Sequence, residues 1–184
     1  MSTAQQIRAA IEPAVAPLGL IVEDVTAAPA GKRRLVRVLI ESDLGSMGLA
    51  DGTSIITPVS LDTVAAATRA VDQAIEASDV MGTAPYVLEV SSPGTGRPLT
   101  TRDQFRRNVG RVVEVHHDDE VTTGRVVEVD RADPARVTLD VPATKQTGAA
   151  RTVVTLGAAV RGHVQVEFKP VPAPHGPSHS EEDN

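Results

Sequence analysis

Apolar residues open the chain at Ile7, Ala10, Ile11, Ala14, Val15 and Leu18. This is the i, i+3, i+4, i+7 spacing of one helical face, and it predicts a helix over 3–18. Ser2 or Thr3 can cap it, with Gln5 or Gln6 three residues on to close a capping box. Pro13 removes a backbone donor and is expected to kink the helix, and Gly19 ends it. The period then drops to two. Residues 20–27 predict a strand with Leu20, Val22 and Asp24 on one face and Ile21, Glu23 and Val25 on the other, an imperfect alternation. The β-branched run at 35–40 predicts a second strand, and Pro29-Ala30-Gly31-Lys32 suits a hairpin turn between them. Residues 42–58 hold Gly45, Gly48, Gly52 and Pro58 with little pattern, and read as a loop with a short extended piece at Ile55 and Ile56. Helical spacing returns at Leu61, Val64, Ala67, Val71 and Ile75, after Ser60 as N-cap and Asp62 in the first turn. Residues 86–91 predict a third strand, broken by Pro93 and Gly94. The order α-β-β-α-β lays two helices over one face of a three-stranded sheet.

A short helix is expected at 101–108. Beyond it only strands are predicted, at 111–116, 121–129, 136–141, 152–156 and 164–168. Short strands with turn punctuation point to a small β-barrel. The fold class is therefore α+β, divided into an N-terminal α/β domain (1–95), a linker and short helix (96–110), a C-terminal barrel (111–169) and a tail (170–184). The tail carries four prolines and then Glu181-Glu182-Asp183, too little apolar surface to order itself, and reads as disordered.

Composition narrows the chemistry. The absence of cysteine excludes disulfides, thiolate metal sites and Cys nucleophiles. No apolar run approaches the roughly 18 residues of a membrane span. No basic start with an apolar run marks a signal peptide, so a cytoplasmic location is expected. With Tyr86, Phe105 and Phe168 as the only aromatic residues, stacking platforms for single-stranded nucleic acid have little material. Charge is uneven. Residues 1–96 hold 6 basic and 11 acidic residues, net −5, while 97–169 hold 12 and 10, net +2.

The densest local feature is Ser91-Ser92-Pro93-Gly94-Thr95-Gly96-Arg97-Pro98-Leu99. It lacks the Lys-Ser/Thr of a phosphate loop, the Gly-x-Ser-x-Gly of a nucleophile elbow and the two-residue spacer of a Gly-x-x-Gly clamp. It reads as a fixed interdomain turn, with the Ser91 and Ser92 hydroxyls bonding nearby backbone. Replacing Gly94 or Gly96 by Val is expected to change interdomain orientation or stability before any chemistry. Arg97, Arg102, Arg106, Arg107 and Arg111 follow, opposed only by Asp103. Arg102 and Arg106 lie one helical turn apart, and a shared guanidinium face suits phosphate oxygens. A solvated face, or ion pairs with the acidic first domain, are the alternatives.

His116-His117-Asp118-Asp119-Glu120 falls at an expected hairpin tip, and adjacent strand residues point to opposite faces, so a metal site is not expected. His163 is isolated, and His175 and His179 lie in the tail. The carboxylate pairs Glu23/Asp24 and Asp118/Asp119 lack a partner base, and Ser91 or Ser92 has no nearby His to make a hydrolase. Neither catalysis nor a cofactor is expected.

The run from Tyr86 to Leu99 resembles the signature of the bacterial ribosome maturation factor RimP family, an aromatic-x-Leu-Glu-Val-Ser-Ser-Pro-Gly followed by Arg-Pro-Leu. Leu88, Glu89, Ser91, Ser92, Pro93, Gly94, Arg97, Pro98 and Leu99 carry it. Ile11-Glu12-Pro13 with Gly19, Val59-Ser60-Leu61-Asp62 with Arg69, and Asp103, Phe105 and Gly110 extend the similarity over about residues 5–169. Val121-Thr122-Thr123-Gly124 departs from the family's aromatic-Lys-Gly, and the 42–58 connection is longer than usual. The resemblance implies an α/β domain followed by an SH3-like or Sm-like barrel. It implies a monomeric, non-catalytic factor that binds the immature small (30S) ribosomal subunit and assists its maturation. The implied partners are that subunit, its ribosomal RNA and a basic small-subunit protein of the decoding region, and an acidic first domain has a physical reason to meet such a protein. The alternative is a stand-alone RNA-binding regulator using the small barrel and the Arg-rich face.

Overall fold

The Ser2 hydroxyl accepts a hydrogen bond from the Gln5 backbone while Gln5 Oε1 accepts one from the Ser2 backbone N–H, and this capping box starts helix α1, Thr3–Val15, in the computed structural model. The structure describes residues 1–48, 51–143 and 148–167. The helix runs on through Pro13 and tightens into a 3-10 turn, Ala16–Leu18, which Gly19 closes in the left-handed region at φ +69°. Ile7, Ile11 and Val15 are fully buried on its inner face. Helix α2, Leu61–Ser78, is capped by Ser60 and buries Ala67, Val71 and Ile75. Each such Ile or Val side chain contributes about 1.5–3 kcal/mol over its exposed state.

The helices cover one face of a sheet ordered β1-β2-β3, from β1 (Leu20–Ala30), β2 (Arg33–Ser42) and β3 (Tyr86–Ser91). β1 and β2 form an antiparallel hairpin, and β3 lies parallel to β2. β1 is longer than the alternation predicts and carries a bulge between Val22 and Asp24. The inserted residue returns Val25, not Asp24, to the buried face of Leu20 and Val22. That bulge is the physical reason for the imperfect alternation.

After a short helix α3, Arg102–Arg106, come β4 (Val112–His117), β5 (Glu120–Val129), β6 (Arg136–Val141), β7 (Ala150–Thr155) and β8 (Arg161–Val164). They form an antiparallel sheet ordered β7-β6-β5-β4-β8, and residues of all five strands meet in one core with Phe105 and Leu99. The last strand lies earlier than the predicted 164–168. Gly162 exchanges two backbone hydrogen bonds with Leu99, and a Cβ there would sit 2.7 Å from the Phe105 ring, so the chain is pinned at Gly162. Phe168 and the tail lie outside the described residues. The first core and this second core are separate clusters. We refer to the regions built on them as the two lobes.

Candidate functional site

The β1 bulge and the end of β2 bring Glu23, Glu41 and Ser42 to the margin of the first lobe, where they meet α3. The Thr101 hydroxyl accepts from the Gln104 backbone, and Gln104 Oε1 in turn accepts from the backbones of Thr100 and Thr101. The same amide donates from Nε2 to Glu23 Oε1 at 2.5 Å, so the helix cap is also a contact between lobes. Arg107 donates from Nε and Nη2 to the Ser42 carbonyl at 3.1 and 3.0 Å, with Glu23 and Glu41 each 3.9 Å from its guanidinium. Burial pushes the Glu41 carboxyl up from its usual range, against the opposing pull of Arg107.

Arg106 is 2% exposed. Its Nη1 donates to the Ser54 carbonyl at 2.5 Å, and Nη2 lies 3.5 Å from Asp51 Oδ1. Both partners belong to the stretch 51–58, which runs as a strap from the first lobe onto the second. Asp51 Oδ1 accepts from the Thr53 and Ser54 backbones, and Oδ2 from the Ser54 hydroxyl at 2.7 Å. These bonds hold the Asp51 carboxyl far below the usual carboxylate range. The Val129 backbone donates to the Gly52 carbonyl at 2.9 Å, and Ile56 is buried. The extended piece expected at Ile55 and Ile56 forms no strand; the segment is held by Arg106 of α3 and by one backbone bond to β5.

Three of the five candidate arginines face other uses as well. Arg97 pairs with Asp24 across the junction at 3.3 Å, with both side chains about 38% exposed. Arg102 donates to the Asp130 carbonyl and to Asp103. Arg111 is exposed and donates to Asn108 Oδ1 at 3.2 Å. Arg102 and Arg106 do share a side of α3, but the strap covers Arg106. Arg106 and Arg107 are spent within the chain, because a buried guanidinium requires oxygen partners and backbone carbonyls supply them. Ion pairing with the acidic first lobe, the alternative reading of this cluster, describes Arg97, Arg106 and Arg107.

The signature residues join the two cores. Leu88 packs against the first and Leu99 is buried in the second. Glu89 pairs with Arg37 at 2.6 Å on the uncovered face of the sheet. The Ser91 and Ser92 hydroxyls make no hydrogen bond among the described residues, contrary to the expectation. Gly94 and Gly96 have nothing within 4 Å of an added Cβ, so their substitution meets no neighbour; the close approach is at Gly52 instead. Ser92, Pro93, Gly94 and Pro98 line a cleft of about 460 Å³ between the lobes, together with Ile55 and Val59. Glu23, Glu41 and Arg107 also line it.

His116 contacts Glu114 at 2.8 Å and stands edge-on to the His163 ring at 5.7 Å, whereas His117 reaches Thr122. No group of three His, Asp or Glu suited to a metal occurs among the described residues. Asp118 and Asp119 form the exposed turn between β4 and β5. No described helix is long and apolar enough to cross a membrane. Sequence reasoning missed Asp51, Gly52 and Ser54. Their only signal is Asp51 followed at two and three residues by Thr53 and Ser54, the spacing of an Asx turn.

A two-lobed α+β molecule with an arginine-stapled junction is the class defined by this geometry. The family model for the RimP N-terminal domain matches residues 10–96. A ribosome maturation factor RimP of Kineococcus radiotolerans is 41% identical over 157 residues, covering 82% of this chain and 71% of that protein. Another, from Frankia casuarinae, is 36% identical over 169 residues, covering 88% of this chain and 58% of that protein. The chain belongs to the RimP family.

Proposed function

We propose that this chain is a ribosome assembly factor, non-catalytic, that binds the immature small ribosomal subunit and assists its maturation as a cytoplasmic monomer. The observation that carries this reading is the kinship to ribosome maturation factors, which extends over most of the chain and takes in both lobes. The geometry supports it in one respect. The lobes are fastened by buried guanidinium-to-carbonyl bonds, so the molecule can present two surfaces in a fixed relation to a large partner. The acidic first lobe suits a basic small-subunit protein of the decoding region, since complementary charge speeds encounter and sets orientation. Of the five arginines, Arg97 and Arg111 keep the exposure needed to touch the subunit or its ribosomal RNA. The division at 1–95, 96–110 and 111–169 follows the same reading, with the linker serving as the staple between lobes.

Sedimentation of lysates tests it. The protein should travel with free small subunits and not with joined ribosomes, and deleting its gene should slow processing of precursor ribosomal RNA. Unchanged subunit profiles during rapid growth would refute the proposal.

A further inference from the structure

Most cations of this chain are already engaged. Arg8, Arg37, Arg125, Arg136 and Arg151 pair with carboxylates, and Arg161 donates to backbone carbonyls. The junction arginines are accounted for above, and Arg131 has a partner too. Among the described residues the Lys and Arg side chains left without a partner are Lys32, Arg33, Arg34 and Arg69. Three of these four are consecutive. They occupy the tip of the β1–β2 hairpin, where every residue from Ala28 to Arg34 is exposed.

Among the described residues no carboxylate oxygen lies within 4.0 Å of these three cations, although Asp72 holds the hydroxyl of Tyr86, the strand neighbour of Arg34. Arg33 faces Ala30 across the hairpin, and Arg34 stands between Pro29 and Tyr86. The nearest acids along the chain are Asp24 and Glu41, and Asp24 is paired with Arg97 while Glu41 lies at the junction. A chain of net charge −6 thus presents a compact cluster of +3 on a narrow projection. Consecutive strand residues point to opposite faces, so Arg33 and Arg34 reach to the two sides of the hairpin, with Lys32 at its turn. Such a fork suits a partner with negative charge on both sides of a slot, and guanidinium groups bind phosphate oxygens bidentately.

We propose that the Lys32-Arg33-Arg34 hairpin tip is an RNA-contacting finger that engages backbone phosphates without reading sequence. The choice of RNA among anionic partners rests on the ribosomal reading above; the charge and its placement do not. The finger is distinct from Arg106 and Arg107, whose guanidinium groups serve the junction.

The test uses the full chain and a fluorescein-labelled RNA stem-loop, titrated across a range of salt. The triple variant K32Q/R33Q/R34Q changes only exposed side chains, and an unchanged melting temperature verifies its fold. Neutralising three phosphate-binding cations should lower the log–log salt slope by about 2–3, and affinity near 0.15 M salt should drop roughly fiftyfold or more. Arg136→Gln, which removes an exposed arginine already paired with Asp130, should leave binding close to that of the parent. Equal binding by parent and triple variant would overturn the proposal, as would a parent that binds no RNA. A triple variant that loses affinity for polyglutamate but keeps it for RNA would also overturn it, by assigning the finger to an acidic protein. Sedimentation separates this outcome from the assembly reading. Failure of the parent to travel with small subunits while the RNA effect stands removes that reading alone, and normal co-sedimentation with an unaffected triple variant removes the finger alone.

Discussion

Replacing Gly52 by alanine presses a methyl carbon against the Val129 carbonyl oxygen, 3.0 Å from its carbonyl carbon. Both atoms are backbone in β5, so the strap has to lift. Lifting breaks the Val129-to-Gly52 hydrogen bond and draws the Ser54 carbonyl away from Arg106. A neutral backbone bond contributes about 1 kcal/mol and one to a charged donor about 1.5–3, so the loss is roughly 2.5–4 kcal/mol. For a chain of this length that corresponds to a fall in melting temperature of roughly 5–15 °C. Calorimetry reads the fall, and small-angle scattering should show a larger radius of gyration as the lobes part. Gly94→Ala, facing open space, is the control and should melt like the parent. If Gly52→Ala melted like its parent and scattered identically, the strap would not be holding the lobes.

The other expectations concern packing and titration. Gly162→Ala drives a methyl to 2.7 Å from the Phe105 ring and should destabilise the second lobe by about 1–3 kcal/mol in chemical denaturation; an unchanged midpoint would refute it. The single tyrosine, Tyr86, donates to Asp72 at 2.8 Å, and burial together with that carboxylate pushes its phenol up to about 12. Ultraviolet titration should show this, and Asp72→Asn should bring the value back toward 10. Burial raises the Glu41 carboxyl above its ordinary value of 4.5, so at pH just above 4.5 the folded state retains more of that proton than the unfolded chain does. Its favourable contribution is full below pH 4.5 and is lost as pH rises through the elevated value. Glu41→Gln should therefore gain melting temperature over the parent at pH near 7 and lose that advantage in acid; a constant difference across pH would contradict the assignment.

The helices and most strands were legible because their burial obeys simple periods. Ile7, Ile11 and Val15 recur at helical spacing, and Val36, Val38 and Ile40 at strand spacing, and both sets are buried. β1 resisted because one inserted residue resets the alternation, and a period-two pattern has no means of announcing a bulge. β8 resisted because its position is set by Leu99 and Phe105, some sixty residues earlier in the chain. The arginine cluster was visible as charge, but the use of Arg106 and Arg107 depends on carbonyl groups at Ser54 and Ser42, and backbone carbonyls are carried by every residue. Side-chain identity alone therefore could not separate phosphate contact from an internal staple. The signature was conspicuous as a motif, yet at the junction the steric constraint falls on Gly52, inside the stretch with the weakest pattern.

The strap also sets an order of events. Gly52 leaves the ribosome during synthesis long before Val129, and Ser54 long before Arg106. The first lobe can gather its own apolar residues while the strap still lacks its mates. Locking must await the later hairpin, so the joint is completed late in the birth of the chain. A truncated product ending within β4 would carry the strap with its Val129 mooring missing, and would be recognisable by its openness to proteases at that stretch.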